Sequence, residues 1–87
     1  MQLRELTVTA AVGLHARPAA QFAEVAKAAG FPVEISRDGK SFVNAASPLR
    51  LLTLKVRQGE VIQVRANTDD LSAAEALFAR LASCIAE

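Results

Sequence analysis

Disulfides are excluded first: the chain holds a single cysteine, Cys84, so no bridge can close within it. It also holds a single histidine, His15, so no Cys/His cluster of metal-ligating spacing exists and no metal site is expected. Tryptophan and tyrosine are absent, and phenylalanine occurs four times. The core must therefore be built mainly from aliphatic side chains and alanine, with phenylalanine as its only aromatic. Neither charge sign dominates: ten basic and nine acidic residues leave a net +1. That balance gives no electrostatic basis for binding nucleic acid or membrane, and any cationic site must be local. No apolar run approaches a membrane-spanning length, and Met1-Gln2-Leu3-Arg4-Glu5 lacks a signal-peptide pattern, so a cytoplasmic protein without membrane insertion is expected. What remains is 87 residues that are 52% hydrophobic and 22% charged, enough for one small domain over residues 1–87 with its own core. There are no repeats or linkers.

Leu6, Val8 and Ala10 alternate with Glu5, Thr7 and Thr9, the period of a half-buried first strand. Gly13 then permits a turn. Pro18 fits only the first turn of a helix, which puts His15 at or near its N-cap and Ala16 and Arg17 in the first turn. Ala19, Phe22, Ala23 and Ala26 form its core-facing stripe, Lys27 suits its negative end, and Gly30 its stop. Phe31, Val33 and Ile35 predict a second strand, with Pro32 at its start. Asp38-Gly39 predicts a hairpin turn and Lys40–Asn44 a third strand. Ser47-Pro48 pairs a hydroxyl cap with an N1 proline and opens a short, apolar helix over Leu49–Leu54. Gln58-Gly59 marks a turn. Ile62, Val64 and Ala66 give a fourth strand. Asp69 or Asp70 caps the last helix, with Ser72 and Glu75 as an alternative capping box. Its stripe is read as Leu71, Ala74, Phe78, Leu81 and Ile85. The order β-α-β-β-α-β-α implies an α+β two-layer fold with helices on one face of an antiparallel sheet.

The chemistry concentrates in Gly13-Leu14-His15-Ala16-Arg17-Pro18-Ala19-Ala20. A free imidazole titrates near pH ~6.5, so a neutral, nucleophilic ring is available around neutrality. A helix N-terminus opposes a protonated ring and favours an anion placed on it, through its dipole and unpaired N–H groups. Arg17 adds a charge-assisted partner for phosphoryl oxygens. Gly13 is expected to leave the ring accessible from the strand side. No Ser, Cys or second His lies nearby for a hydrolytic triad.

These residues resemble the active-site motif of HPr, the histidine-containing phosphocarrier family of the phosphoenolpyruvate-dependent sugar phosphotransferase system. The resemblance covers nearly the whole chain. Asp38-Gly39-Lys40-Ser41 stands where the family has an Asn-Gly-Lys turn, Ser47 stands at its second marked position, and Leu52-Thr53-Leu54 with Gln58-Gly59 is similar to the segment entering its last strand. The resemblance implies an open-faced β-sandwich, a four-stranded antiparallel sheet covered on one face by three helices. It implies a phosphoryl-transfer carrier with a phosphohistidine intermediate rather than a turnover enzyme, needing no cofactor. His15 would accept a phosphoryl group on Nδ1 from phosphorylated Enzyme I and pass it to the A domain of a sugar-specific Enzyme II (EIIA), with Arg17 assisting. The docking surface would comprise Ala16, Arg17 and Ala20 from the first helix and Leu49, Arg50 and Leu52 from the second. Lys27 matches a basic position of the family, whereas Glu24 departs from a common lysine.

In Gram-positive members the serine matching Ser47 is phosphorylated by an HPr kinase. Here Pro48 follows it, Arg50 replaces a small residue, and the 42–46 stretch is one residue longer, so a plain N-cap is the favoured reading. Cys84 reads as a buried small hydrophobe, Arg65 and Arg80 as solvated charges, and Glu87 as a carboxylate able to approach Arg17. A monomer suits a diffusing shuttle. The alternatives are a paralogous carrier in a nitrogen-regulatory or other non-sugar phosphorelay, a small acyl-phosphate hydrolase that uses Arg17 but not His15, and a module that merely captures an anion.

Overall fold

The computed structural model describes residues 1–87 except Val12 and Glu87. The elements run β1 (Gln2–Thr7), α1 (Ala16–Lys27), β2 (Val33–Ser36), β3 (Val43–Asn44), α2 (Pro48–Thr53), β4 (Val61–Ala66) and α3 (Leu71–Ile85). They form the expected open-faced sandwich, a four-stranded antiparallel sheet of order β1-β4-β2-β3 with the three helices on one face. Val33 stands opposite Ala66 and Ile35 opposite Val64. These four, with Ile62, are buried towards the helices. From the helices, Ala19, Phe22, Ala23 and Ala26 of α1, Leu51 of α2, and Ala74, Leu77, Phe78, Leu81 and Ile85 of α3 complete the core. Phe22 and Leu51 are fully buried, and each contributes about 1.5–3 kcal/mol of transfer free energy.

Three elements differ from their sequence expectation, each for a physical reason. The first strand lies at Gln2–Thr7, earlier than the Leu6–Ala10 alternation suggests. Val8 and Ala10 stay buried, but beyond Val8 the chain leaves the sheet. The N–H groups of Thr9 and Ala10 both donate to the Ile85 carbonyl at the end of α3, at 3.0 and 2.9 Å. As an edge strand, β1 carries charge even on its helix-facing side, where the Arg4 guanidinium pairs with Glu75 and lies 5.1 Å from the centroid of the Phe78 ring. The third strand is only Val43–Asn44 rather than Lys40–Asn44. Asp38 is the cause. Its Oδ1 accepts the N–H groups of Lys40 and Ser41 at 2.8 and 3.0 Å, donors that a longer strand would spend on pairing. In α3 the N-cap is Asp70, which accepts the Ala73 N–H at 3.1 Å. Leu71 is 57% exposed there, and Leu77 takes the core position instead.

The solvent face of the sheet is not uniformly solvated. Arg65 is half-buried, donates twice to Glu34 at 2.8 and 3.0 Å, and lies 4.0 Å from the centroid of the Phe42 ring. Cys84 is half-buried with its thiol on the Arg80 carbonyl at 3.4 Å, and burial pushes that thiol up.

The hairpin carries a pH dependence. The N–H groups of Ser41 and Lys40 and the Ser36 hydroxyl lower the Asp38 carboxyl from 3.8 to about 2. A depressed carboxylate adds stability that is complete above its unfolded value and is lost as pH falls through its folded value. Thermal unfolding of Asp38→Asn therefore shows a flatter pH dependence than the native chain between 3.8 and about 2, and carboxyl NMR places the native Asp38 midpoint near the lower figure.

Candidate functional site

The site begins with a helix that has no conventional cap. His15 is the N-cap of α1 with extended backbone (φ −94°, ψ −177°), and its carbonyl accepts the Ala19 N–H at 2.8 Å. Its side chain makes no capping hydrogen bond and is exposed. A serine or aspartate here would occupy the first-turn donors; histidine leaves them free. The first turn contains no acidic residue, and Pro18 contributes no N–H. The positive end of the helix is therefore open beside a solvent-facing imidazole. Arg17 is exposed in the same turn and forms no ion pair among the described residues.

The residues just before His15 are anchored to the 56–57 backbone. Leu14 is buried, and its N–H donates to the Val56 carbonyl at 3.0 Å. Gly13 has φ +69° and sits directly on the 56–57 backbone: a Cβ there would lie 2.7 Å from the Val56 oxygen and 2.9 Å from the Arg57 Cα. Gly13 therefore serves close backbone approach. From the other side, the Thr9 carbonyl accepts the Gln58 amide at 3.2 Å.

α2 packs beside α1. Leu51 is its one buried residue, whereas Leu49 and Leu52 are 73% and 38% exposed. Ala16, Ala20, Arg50, Glu24 and Lys27 are also exposed. Ser47 is the N-cap of α2, with its Oγ accepting the Arg50 N–H at 3.4 Å. The Glu87 carboxylate considered for Arg17 lies outside the described residues.

Sequence reasoning placed the turn at Gln58-Gly59 but missed the pairing of Arg37 with Glu60 beside it. The Arg57 N–H, with Arg37 beside it, holds the Glu60 carboxyl below the usual carboxylate range. An open cleft of about 480 Å³ lies next to this pair, lined by Arg37, Asp38, Ser41, Thr53, Leu54 and Glu60; neither His15 nor Arg17 borders it. Among the described residues no group of three or more His, Cys, Asp and Glu is placed to hold a metal, and no helix is long and apolar enough to cross a membrane.

Fold and site together define a small open-faced sandwich that presents an imidazole and an arginine at the free mouth of a helix. Residues 3–87 match the family model described as the PTS HPr component phosphorylation site. The chain is 45% identical over 87 residues to the phosphocarrier protein HPr of Streptomyces coelicolor, covering 100% of this chain and 90% of that one. Its fold superposes on HPr-C-His from Thermoanaerobacter tengcongensis with a TM-score of 0.83 at 33% identity, covering 100% and 98% of the two chains. For the phosphocarrier protein HPr from Bacillus anthracis the TM-score is 0.77 at 32% identity, covering 91% and 94%. The chain belongs to the HPr phosphocarrier family.

Proposed function

We propose that this chain is a shuttled phosphodonor of the sugar phosphotransferase system. His15 takes a phosphoryl group on Nδ1 from phosphorylated Enzyme I and yields it to the A domain of a sugar-specific Enzyme II. A bond from Nδ1 to phosphorus forms as the bond to the donor breaks, and the reverse exchange follows at the acceptor. The observation that carries this reading is the exposed His15 ring standing at the helix mouth without using the helix donors for itself. The Ala16 and Arg17 N–H groups and the Arg17 guanidinium are the groups within the first turn that can meet the phosphoryl oxygens. The helix-end contribution is about 0.3–1 kcal/mol, up to ~2 in favourable geometry. That is modest enough for cargo that must leave again.

Docking is assigned to the surface formed by Ala16, Arg17 and Ala20 on α1 and Leu49, Arg50 and Leu52 on α2. Two exposed leucines beside arginines suit a transient interface with an apolar centre and an acidic partner rim. The carrier works as a cytoplasmic monomer. Ser47 acts as the cap of α2.

The test incubates the chain with phosphoenolpyruvate and Enzyme I and maps the product by mass spectrometry and phosphorus NMR. The expected product is one acid-labile, base-stable phosphoryl group on His15, which then passes to an Enzyme II A domain. No adduct under conditions that phosphorylate a control carrier overturns the proposal.

A further inference from the structure

Between α2 and β4 the chain runs alongside the loop that delivers His15. Besides the bond from the Leu14 N–H to the Val56 carbonyl, the Val8 N–H donates to the Glu60 carbonyl at 2.9 Å and the Gly59 N–H to the Val8 carbonyl at 2.7 Å. This segment contains the one described non-glycine residue with positive φ, Lys55 at +54°. Lys55 follows the C-cap of α2, a position where glycine is favoured because a side chain with Cβ is strained there. Both flanks of Lys55 are gripped by one ion pair. On its N-terminal side the Leu54 carbonyl accepts Arg37 Nη1 at 3.2 Å. On its C-terminal side the Arg57 N–H donates to Glu60 Oε1 at 2.8 Å. Arg37 and Glu60 are themselves joined, with Nε on Oε2 at 3.0 Å and Nη2 on Oε1 at 3.2 Å.

We infer that Glu60, together with Arg37, is a positioning residue for His15: the pair holds Lys55 in the left-handed conformation that places the Val56 carbonyl under the Leu14 N–H. The chain of contacts is short. Glu60 fixes Arg57, Arg37 fixes Leu54, the residues between them present the Val56 oxygen, and that oxygen anchors the residue immediately before His15. A backbone held away from its preferred conformation needs surroundings that over-determine it. Removing the clamp lets Lys55 relax, and the anchor of Leu14 moves with it. The consequence for phosphoryl transfer rests on the reading of His15 given above; the consequence for Leu14 does not.

The experiment compares the full chain with Glu60→Ala, Arg37→Ala and the double variant Glu60→Ala/Lys55→Gly, after circular dichroism has shown each to be folded. In Glu60→Ala and in Arg37→Ala the Leu14 amide exchanges with solvent about tenfold faster. The His15 ring signals shift, and phosphoryl transfer from Enzyme I slows about five- to tenfold. Glycine adopts the required φ without help, so Lys55→Gly on the Glu60→Ala background returns exchange, ring signals and transfer to within about twofold of native. Relief of strain at Lys55 also adds general stability, which slows exchange throughout the chain, so recovery confined to the Leu14 amide and the His15 ring is the mark of the clamp. Unchanged Leu14 exchange and His15 signals in Glu60→Ala, or no recovery in the double variant, overturn the inference. A native chain that Enzyme I cannot phosphorylate defeats only the proposed function, because the amide and ring signals still decide whether Glu60 positions His15.

Discussion

His15→Ala abolishes phosphorylation by Enzyme I and phosphoenolpyruvate while leaving the fold intact. The loss is complete because, in the proposed reaction, the transferred group is bonded to the only imidazole in the chain. The fold survives because the ring is exposed and caps nothing: the helix donors are as free with histidine as with alanine. The expected change in stability is within about 0.5 kcal/mol, as for most surface substitutions. Arg17→Ala gives a graded outcome. It keeps the nucleophile and the N–H groups and removes one charge-assisted partner of the phosphoryl oxygens, which slows transfer by about 10- to 100-fold without abolishing it. The pair also separates the competing activities. An acyl-phosphate hydrolase built on Arg17 survives the loss of His15 and fails with the loss of Arg17, and a module that only captures anions forms no covalent adduct in any variant. Phosphate labelling and thermal unfolding of both variants decide this. Labelling of His15→Ala at native stoichiometry removes His15 from the mechanism.

Local signals in the sequence carried far, and the reason is physical. The cap of a helix, its N1 proline and its apolar stripe are decided within a few residues of one another. His15 at the mouth of α1, Ser47 before Pro48 at the mouth of α2, and the four buried residues of α1 were all legible for that reason, while at the mouth of α3 the choice was narrowed to Asp69, Asp70 or Ser72. The strand positions were less so. Alternation continues in phase from β1 into Val8 and Ala10, but hydrogen bonding does not, and the switch of Thr9 and Ala10 to the end of α3 joins segments far apart in sequence. The truncation of β3 turned on one carboxylate whose capture of two N–H groups is a matter of three-dimensional geometry.

The site divides along the same line. The residues proposed to react lie in one short motif, whereas those inferred to position them are scattered. Arg37 and Glu60 stand 23 positions apart and neither belongs to that motif. Nothing local in Leu54-Lys55-Val56 announces that a lysine there adopts the conformation usually left to glycine. The exposed leucines of α2 are an intermediate case. The sequence shows a short helix too apolar for its length, but only packing separates Leu51, which anchors it, from Leu49 and Leu52, which face outward.

Gly13→Ala damages stability and transfer together. At φ +69° an alanine costs about 1–2 kcal/mol in backbone strain alone. Its methyl would also lie 2.7 Å from the Val56 oxygen and 2.9 Å from the Arg57 Cα. Both are backbone atoms, so neither can swing aside as the end of a flexible side chain does. The loop must move instead, at a further cost of about 1–3 kcal/mol, the range for forced overpacking. The sum, about 2–5 kcal/mol, is a large share of the ~5–15 kcal/mol that holds a small domain together. Movement of Gly13 away from residues 56–57 also stretches the bond from the Leu14 N–H to Val56 and carries the His15 backbone with it. A displacement of about 1 Å at a reacting group can reduce its rate by about 100-fold. Gly30→Ala is the control that isolates strain from contact. Gly30 also has positive φ, +84°, yet a Cβ there meets nothing within 4 Å. That variant loses about 1–2 kcal/mol and transfers phosphate at the native rate. Thermal unfolding and single-turnover transfer from phosphorylated Enzyme I compare the two directly. If Gly13→Ala and Gly30→Ala behave alike in both measurements, the close approach of Gly13 to Val56 does not set the position of His15.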